Sequence, residues 1–150
     1  MKILFVCLGN ICRSPLAEAI FKEKVRQRKW EHLFQADSCG TSNYNIGDDP
    51  DPRTLRSAYQ NNIPITHQAR QFTPSDAESF DLILAMDSHN YQNIIRVTHS
   101  THHHKIKLMR SYDPVSKGDV PDPYHGDEKD FAEVFEILER SIDSLIKDLH

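Results

Sequence analysis

The chain has 150 residues, of which 38% are hydrophobic and 27% charged, and a formal net charge of -4. That length and composition fit one core of ordinary size and exclude a multidomain assembly, while the acidic balance excludes a surface built for non-specific attraction to nucleic acid or anionic lipid. The longest apolar run, Ile3 to Leu8, is far shorter than the roughly 18 residues of a membrane span and shorter than the apolar part of a secretory signal, so a cytoplasmic protein without a membrane segment is expected.

Ile3 to Val6 is a continuous run of strand formers ending at Cys7 and Gly9, which reads as a buried strand followed by a turn. Ser14-Pro15 then supplies an N-cap and a proline at the first helical position. The helix so begun buries Leu16, Ile20, Phe21 and Val25 and ends before Trp30. His32 to Ser38 is expected as a second strand. Asp51-Pro52 caps a helix running to about Asn61, and Thr73-Pro74-Ser75-Asp76 starts another. Asp81 to Met86 is the third strand, Ser88 opens the helix through Ile95, and Lys105 to Arg110 is the fourth strand. His102-His103-His104, just before it, reads as a solvated loop, because adjacent residues do not share a face. Phe131, Val134, Phe135, Leu138, Ile142, Leu145 and Leu149 mark a long amphipathic last helix, with Asp127, Glu128 and Asp130 at its start.

Strands alternating with helices predict a single-domain α/β fold, an open four-stranded parallel sheet with helices on both faces, of the flavodoxin-like kind. In such sheets function gathers beyond the carboxyl ends of the strands. That puts Cys7 to Ser14, Cys39 to Pro50 and Ser111 to Asp127 on one rim.

The strongest chemical signal is Cys7-Leu8-Gly9-Asn10-Ile11-Cys12-Arg13-Ser14-Pro15. A loop of this size winding into a helix N-terminus turns successive backbone N–H groups inward and makes a cup for a tetrahedral oxyanion. Gly9 is expected to supply a positive φ there, a region that Asn10 also tolerates. Arg13 offers a planar fork to two phosphate oxygens. A cation at the start of a helix is unfavourable unless an anion answers it, and the same field favours the thiolate form of a cysteine. Cys7 is therefore the candidate nucleophile, with the Ser14 hydroxyl able to donate to its sulfur. A leaving oxygen needs a proton, and two Asp-Pro turns can supply it, Asp113-Pro114 and Asp122-Pro123. The neighbouring Tyr124, a wall for an aryl group, favours Asp122. The three cysteines, Cys7, Cys12 and Cys39, are an odd, sparse set that fits reduced thiols better than a disulfide framework, and Cys39 is expected to be structural.

The Cys7 to Pro15 stretch together with Asp122-Pro123-Tyr124 resembles the low-molecular-weight protein tyrosine phosphatase family. The likeness runs on through Asp37-Ser38, Gly40-Thr41-Ser42, Ile46-Gly47, His67, Ala69-Arg70, Met86-Asp87 and Ser111-Tyr112-Asp113-Pro114, covering nearly the whole chain as one domain, 1–150. The resemblance implies that Cys7 carries a phosphocysteine, that Arg13 binds the phosphoryl group, and that Asp122 first protonates the phenolate and then activates water. Leu8, Gly9, Asn10, Ile11, Cys12 and Ser14 would complete the phosphate loop. It further implies that Asn10, Ser14, Ser38 and His67 form a network bracing the loop, that Tyr44 and Tyr124 line the substrate slot, and that Cys12 forms a reversible disulfide with Cys7. One position departs from it: many members carry two tyrosines after Asp-Pro, and here the pair is Tyr124-His125. The expectation is a monomer that hydrolyses phosphotyrosine proteins or other aryl phosphates and releases inorganic phosphate without a metal or cofactor. An arsenate reductase-like thiol enzyme calls for further thiols downstream, and no cysteine follows Cys39. A non-catalytic phosphotyrosine-binding module needs neither nucleophile nor acid.

Overall fold

In the computed structural model, which describes residues 1–150, four strands alternate with helices. These are β1 (Lys2–Cys7), β2 (Gln35–Gly40), β3 (Leu82–Ala85) and β4 (Ile106–Leu108). The helices are α1 (Arg13–Gln27), α2 (Pro52–Gln60), α3 (Pro74–Ser79), α4 (Ser88–Val97) and α5 (Glu128–Leu149). The sheet is parallel throughout with order β2-β1-β3-β4. Chain order reverses between β1 and β3, which opens a crevice at the carboxyl end of β1.

The central strand β1 is apolar at consecutive positions because both faces of a parallel sheet are covered. Ile3, Phe5 and Cys7 point to a cluster with Leu16, Ile20 and Phe21 of α1, Ala58 of α2, and Val134, Leu138 and Ile142 of α5. Leu4 and Val6 point the other way, to Ala77 of α3 and Ile94 of α4. Helices thus lie on both faces, as the alternation of elements predicts. Each fully buried Leu, Ile or Phe contributes about 1.5–3 kcal/mol. Cys7, at the end of β1, is anchored in the larger of the two buried clusters. No helix is long and apolar enough to cross a membrane.

Two strands differ from the sequence expectation. β2 begins at Gln35, not His32, and runs to Gly40. Hydropathy misplaces it because Phe34, the apolar residue, belongs to a turn: its N–H donates to the Trp30 carbonyl at 3.1 Å, and its ring packs against Phe21 and Trp30. The polar Gln35 to Gly40 pairs with β1 in full register, Lys2 opposite Gln35 through Cys7 opposite Gly40. β4 is three residues long, because it pairs only with the short β3; Lys105 closes a 3-10 turn before it and Met109 opens another after it. The triple histidine lies in the first of these turns, part exposed, with His103 Nε2 at 3.0 Å from the Thr98 carbonyl.

Candidate active site

Four of the five helices start on a carboxylate. Asp51 accepts from the Arg53 N–H, Asp87 from the Asn90 N–H and Asp127 from the Lys129 N–H, while Asp76 reaches back to the Thr73 N–H at the start of α3. α1 is the exception: it has no side-chain cap and no acidic residue in its first turn. Ser14, expected to cap it, is instead the second helical residue. The cap position falls to Cys12, so the first N–H groups of α1 remain available to an anion.

The loop from Cys7 to Arg13 curls around these amides. Asn10 takes φ 57°, and it is this residue, not Gly9, that adopts the left-handed region. Gly9 instead leaves room for a neighbour: a Cβ there would lie 2.7 Å from Asn45 Nδ2, the end of a side chain that donates to the Gly9 carbonyl and would have to shift. The Asn10 side chain turns away from the cavity and ties the loop down. Its Nδ2 donates to Ser14 Oγ at 2.8 Å and Ser38 Oγ at 3.1 Å, and its Oδ1 accepts from the Arg70 N–H and lies 2.7 Å from His67 Nε2. Ser38 donates to Glu18 Oε1, which also lies 3.3 Å from His67 Nδ1. Asn10, Ser14, Ser38 and His67 do form one network, and Glu18, which sequence reading missed, completes it. Ser14 Oγ lies 2.9 Å from Cys7 Sγ. With Asn10 donating into that oxygen, the hydroxyl proton is left for the sulfur or for the more distant Cys39 carbonyl at 3.3 Å.

Arg13 is 2% exposed yet lines the cavity. Its Nη1 donates to Asp87 Oδ2 at 2.8 Å and to the Val120 carbonyl at 2.9 Å. The other edge of the fork is free of hydrogen bonds this short, with Nη2 3.6 Å from Asp122 Oδ2. Burial opposes the charge on Arg13, but Cys7 and Asp87 outweigh it and hold the guanidinium above its ordinary pKa. Asp87 therefore does two things, capping α4 and fixing Arg13. An aspartate at the carboxyl end of β3, beside the crevice, is the sequence signal that could have found it.

The cavity above Cys7 has a volume of about 350 Å³ and is lined by residues of all three expected loops. Cys7, Leu8, Gly9, Ile11, Cys12 and Arg13 make its floor; Tyr44, Asn45, Asp122, Tyr124 and His125 make its walls. The side chains of Asn10 and Ser14, expected at the substrate, lie behind the floor and brace it. Tyr44 is 78% and Tyr124 45% exposed, and the Tyr124 ring packs against His125 with centroids 5.0 Å apart. Asp122 accepts from the Tyr124 N–H at 3.1 Å.

The rival acid, Asp113, is fully buried away from the cavity. It takes hydrogen bonds from Arg140 Nε at 2.8 Å, Arg110 Nε at 2.8 Å and the Val115 N–H at 2.8 Å. Burial pushes its carboxyl up, but these donors outweigh burial and hold it well below the usual carboxylate range. Of the other thiols, burial and the neighbouring Asp51 push Cys12 up to about 12, and burial pushes Cys39 well above the ordinary value. Cys39 lies in the core cluster on the α3 and α4 side of the sheet.

A family model described as low molecular weight phosphotyrosine protein phosphatase matches residues 2–150. The chain is 41% identical over 150 residues to the low molecular weight phosphotyrosine protein phosphatase of Gallus gallus, covering 99% of this chain and 95% of the relative. The protein of the same name from Homo sapiens is 40% identical, with the same coverage. Among solved structures, a protein tyrosine phosphatase from Entamoeba histolytica with Hepes in its active site superposes with a TM-score of 0.96 at 37% identity, covering 99% of this chain and 96% of that one.

Proposed function

Because the chain belongs to the low molecular weight phosphotyrosine protein phosphatase family, we propose that it hydrolyses protein phosphotyrosine through a phosphocysteine on Cys7. The observation that carries this reading is the convergence of Cys7, Arg13 and Asp122, from three distant parts of the chain, on one cavity at an uncapped helix N-terminus. Cys7 Sγ attacks phosphorus in line as the bond to the phenolic oxygen breaks. Asp122 delivers its proton to that oxygen, so phenol leaves rather than phenolate. Charge growing on the three equatorial oxygens meets the loop amides and the free edge of Arg13. Water then attacks the phosphocysteine, Asp122 takes the water's proton, and inorganic phosphate departs with the thiolate restored.

The walls set the substrate class. Tyr44 and Tyr124 offer rings to an aryl group, so phosphotyrosine proteins and small aryl phosphates are the substrates proposed. Cys7, Arg13, Asp122, Tyr44 and Tyr124 all belong to this chain, and a monomer is the state proposed. Three free cysteines fit a reducing, cytoplasmic setting. The buried Cys39 and the lack of any later cysteine leave no relay of thiols for an arsenate reductase.

Turnover of an aryl phosphate, with the phenol released followed on the millisecond scale, tests the reading. Wild type is expected to give a burst of phenol equal to the enzyme present, and Cys7→Ser to give neither burst nor turnover. Full activity in Cys7→Ser would overturn the assignment. Cys12, on the same floor, is proposed as a resolving thiol: once peroxide has oxidised Cys7 to the sulfenic acid, the Cys12 thiol closes a disulfide and releases water. Dithiothreitol is expected to restore peroxide-treated wild type and to restore Cys12→Ser far less; equal recovery would remove this role.

A further inference from the structure

We propose that Arg53 is a positioning residue for proton transfer, holding the loop that carries Asp122 at a fixed distance from the phosphate cup. The proposal rests on the reading of Asp122 as the acid, and it concerns a residue with no place in the mechanism so far.

Arg53 is the second residue of α2, where a cation opposes the helix dipole. Its position therefore needs an account. The guanidinium lies between two carboxylate oxygens and two carbonyls. On one side Nε donates to Asp51 Oδ1 at 3.0 Å and Nη2 to Asp51 Oδ2 at 2.9 Å. On the other, Nη2 donates to the Tyr124 carbonyl at 2.9 Å and Nη1 to the Gly126 carbonyl at 3.3 Å. The guanidinium carbon also sits 4.5 Å from the Phe131 ring centroid and 5.6 Å from that of Tyr124, the aromatic wall of the cavity.

Asp51 completes the link. Its own N–H donates to the Ile11 carbonyl at 2.8 Å, and Ile11 is part of the cavity floor. A short path thus runs from the cup through Ile11, Asp51 and Arg53 to the carbonyls of Tyr124 and Gly126. Between Pro121 and Gly126, the hydrogen bonds that reach the loop from elsewhere in the molecule are the two from Arg53. The remaining ones are internal, Asp122 accepting from the Tyr124 N–H and the Pro123 carbonyl accepting from the Gly126 N–H. Pro121 and Pro123 fix φ on either side of Asp122, so pinning the Tyr124 carbonyl, two residues on, goes far towards fixing the carboxyl. A bidentate fork can hold Asp51 and reach two carbonyls together; a lysine ammonium cannot present that geometry.

The experiment measures kcat/KM, which reports phosphoenzyme formation, on a series of aryl phosphates whose phenols range from strongly to weakly acidic. Wild type, Arg53→Met, Arg53→Lys, Asp122→Ala and the Arg53→Met/Asp122→Ala double variant are compared. Methionine keeps an apolar stem against Phe131 while removing every donor. A misplaced acid matters most where the leaving group needs its proton. Arg53→Met is expected to lose on the order of tenfold with weakly acidic phenols and less than about twofold with strongly acidic ones. Arg53→Lys is expected to recover part of the loss, and the double variant to be no slower than Asp122→Ala alone. A loss equal across the series, or one that adds to that of Asp122→Ala, would overturn the proposal and leave Arg53 a structural residue. Asp122→Ala keeps the two readings apart. A uniform loss in that variant removes the acid assignment and this proposal with it, whereas a steep dependence in Asp122→Ala beside a flat one in Arg53→Met removes the positioning role alone.

Discussion

The floor and the walls of the cavity are built in opposite ways. In and behind the floor, Arg13, Asn10 and Ser14 are almost wholly buried and each is held by several partners, from Asp87 at one end to His67 and Glu18 at the other. On the walls, Tyr44 stands largely in solvent and Tyr124 is half-exposed, and the loop bearing Asp122 is tied from outside mainly through Arg53. The division follows the substrate. A phosphoryl group has the same shape in every substrate, so a rigid cup that costs no reorganisation at the moment of reaction serves them all. The leaving group varies, and exposed aromatic side chains on the wall can adapt to it. Changes on the floor should therefore harm every substrate alike, while changes on the walls should show in the dependence on leaving group.

The sharpest test sets the two Asp-Pro aspartates against each other. Asp122→Ala is expected to lower kcat by roughly a hundredfold or more while leaving the fold intact, because a general acid contributes about 10²–10⁴-fold. Asp113→Ala is expected to do the reverse: to cost about 3–5 kcal/mol of stability by leaving Arg110 and Arg140 without their shared partner, with kcat per folded molecule close to wild type. Denaturant melts beside turnover at matched folded fraction check both, and the opposite ranking would make Asp113 the acid. The sign of the pH effect follows from the depressed carboxyl of Asp113 in the folded state. The stability it contributes is fully present above the unfolded value, near 4, and is lost as pH falls below that towards the folded value. Wild type should lose stability steeply on acidification below about pH 4, and Asp113→Ala less steeply, since that contribution is already gone.

Loosening the floor should have the next largest effect. Asn10→Ala removes the donors to Ser14 and Ser38 and the acceptor for the Arg70 N–H, and it places a Cβ-bearing residue without a side-chain hydrogen bond at φ 57°. A fall in kcat/KM of roughly ten- to a hundredfold is expected, equal across leaving groups. Asn10→Gly separates the causes: it relieves the backbone without restoring the hydrogen bonds, so most of the loss should persist. Recovery in the glycine variant would show that backbone conformation, not the network, is what Asn10 supplies.

The contrast between floor and walls also explains what could be read in the sequence. The central strand, the cup and the last helix were legible because each is a local pattern: an apolar run, a cysteine and an arginine flanking a short loop, and a helical periodicity. The bounds of β2 are not legible because its pairing with β1 is a matter of backbone hydrogen bonds that polar side chains do not announce, while the apolar Phe34 beside it fills the core. Glycine adopts a positive φ most freely, so the sequence points to Gly9; the structure uses Asn10, whose side chain also anchors the loop. The roles of Asp87, Glu18 and Arg53 are not legible in the sequence for a common reason. Each acts on a residue far away in the chain, Asp87 on Arg13, Glu18 on Ser38 and Arg53 on Tyr124, and no spacing within a segment encodes such contacts. An arginine in the first turn of a helix, unfavourable on its own, is the one local sign that α1 and α2 share.

The smallest effect belongs to the most exposed wall. Tyr44 is held to the rest of the molecule only by its loop, where its N–H donates weakly to Ser42 Oγ at 3.5 Å. Its ring can gain only the stacking energy of a solvated aromatic pair, about 0.5–1.5 kcal/mol, or roughly a two- to twelvefold change in binding. Tyr44→Ala should therefore raise KM for aryl phosphates within that range, leave kcat near wild type, and leave KM for an alkyl phosphate unchanged. Tyr44→Phe, which keeps the ring and removes the hydroxyl, should behave like wild type on both. If Tyr44→Ala instead lowered kcat for aryl and alkyl phosphates alike, the residue would be acting on the floor. The separation between a rigid reader of phosphate and an adaptable reader of leaving groups would then fail at its most exposed point.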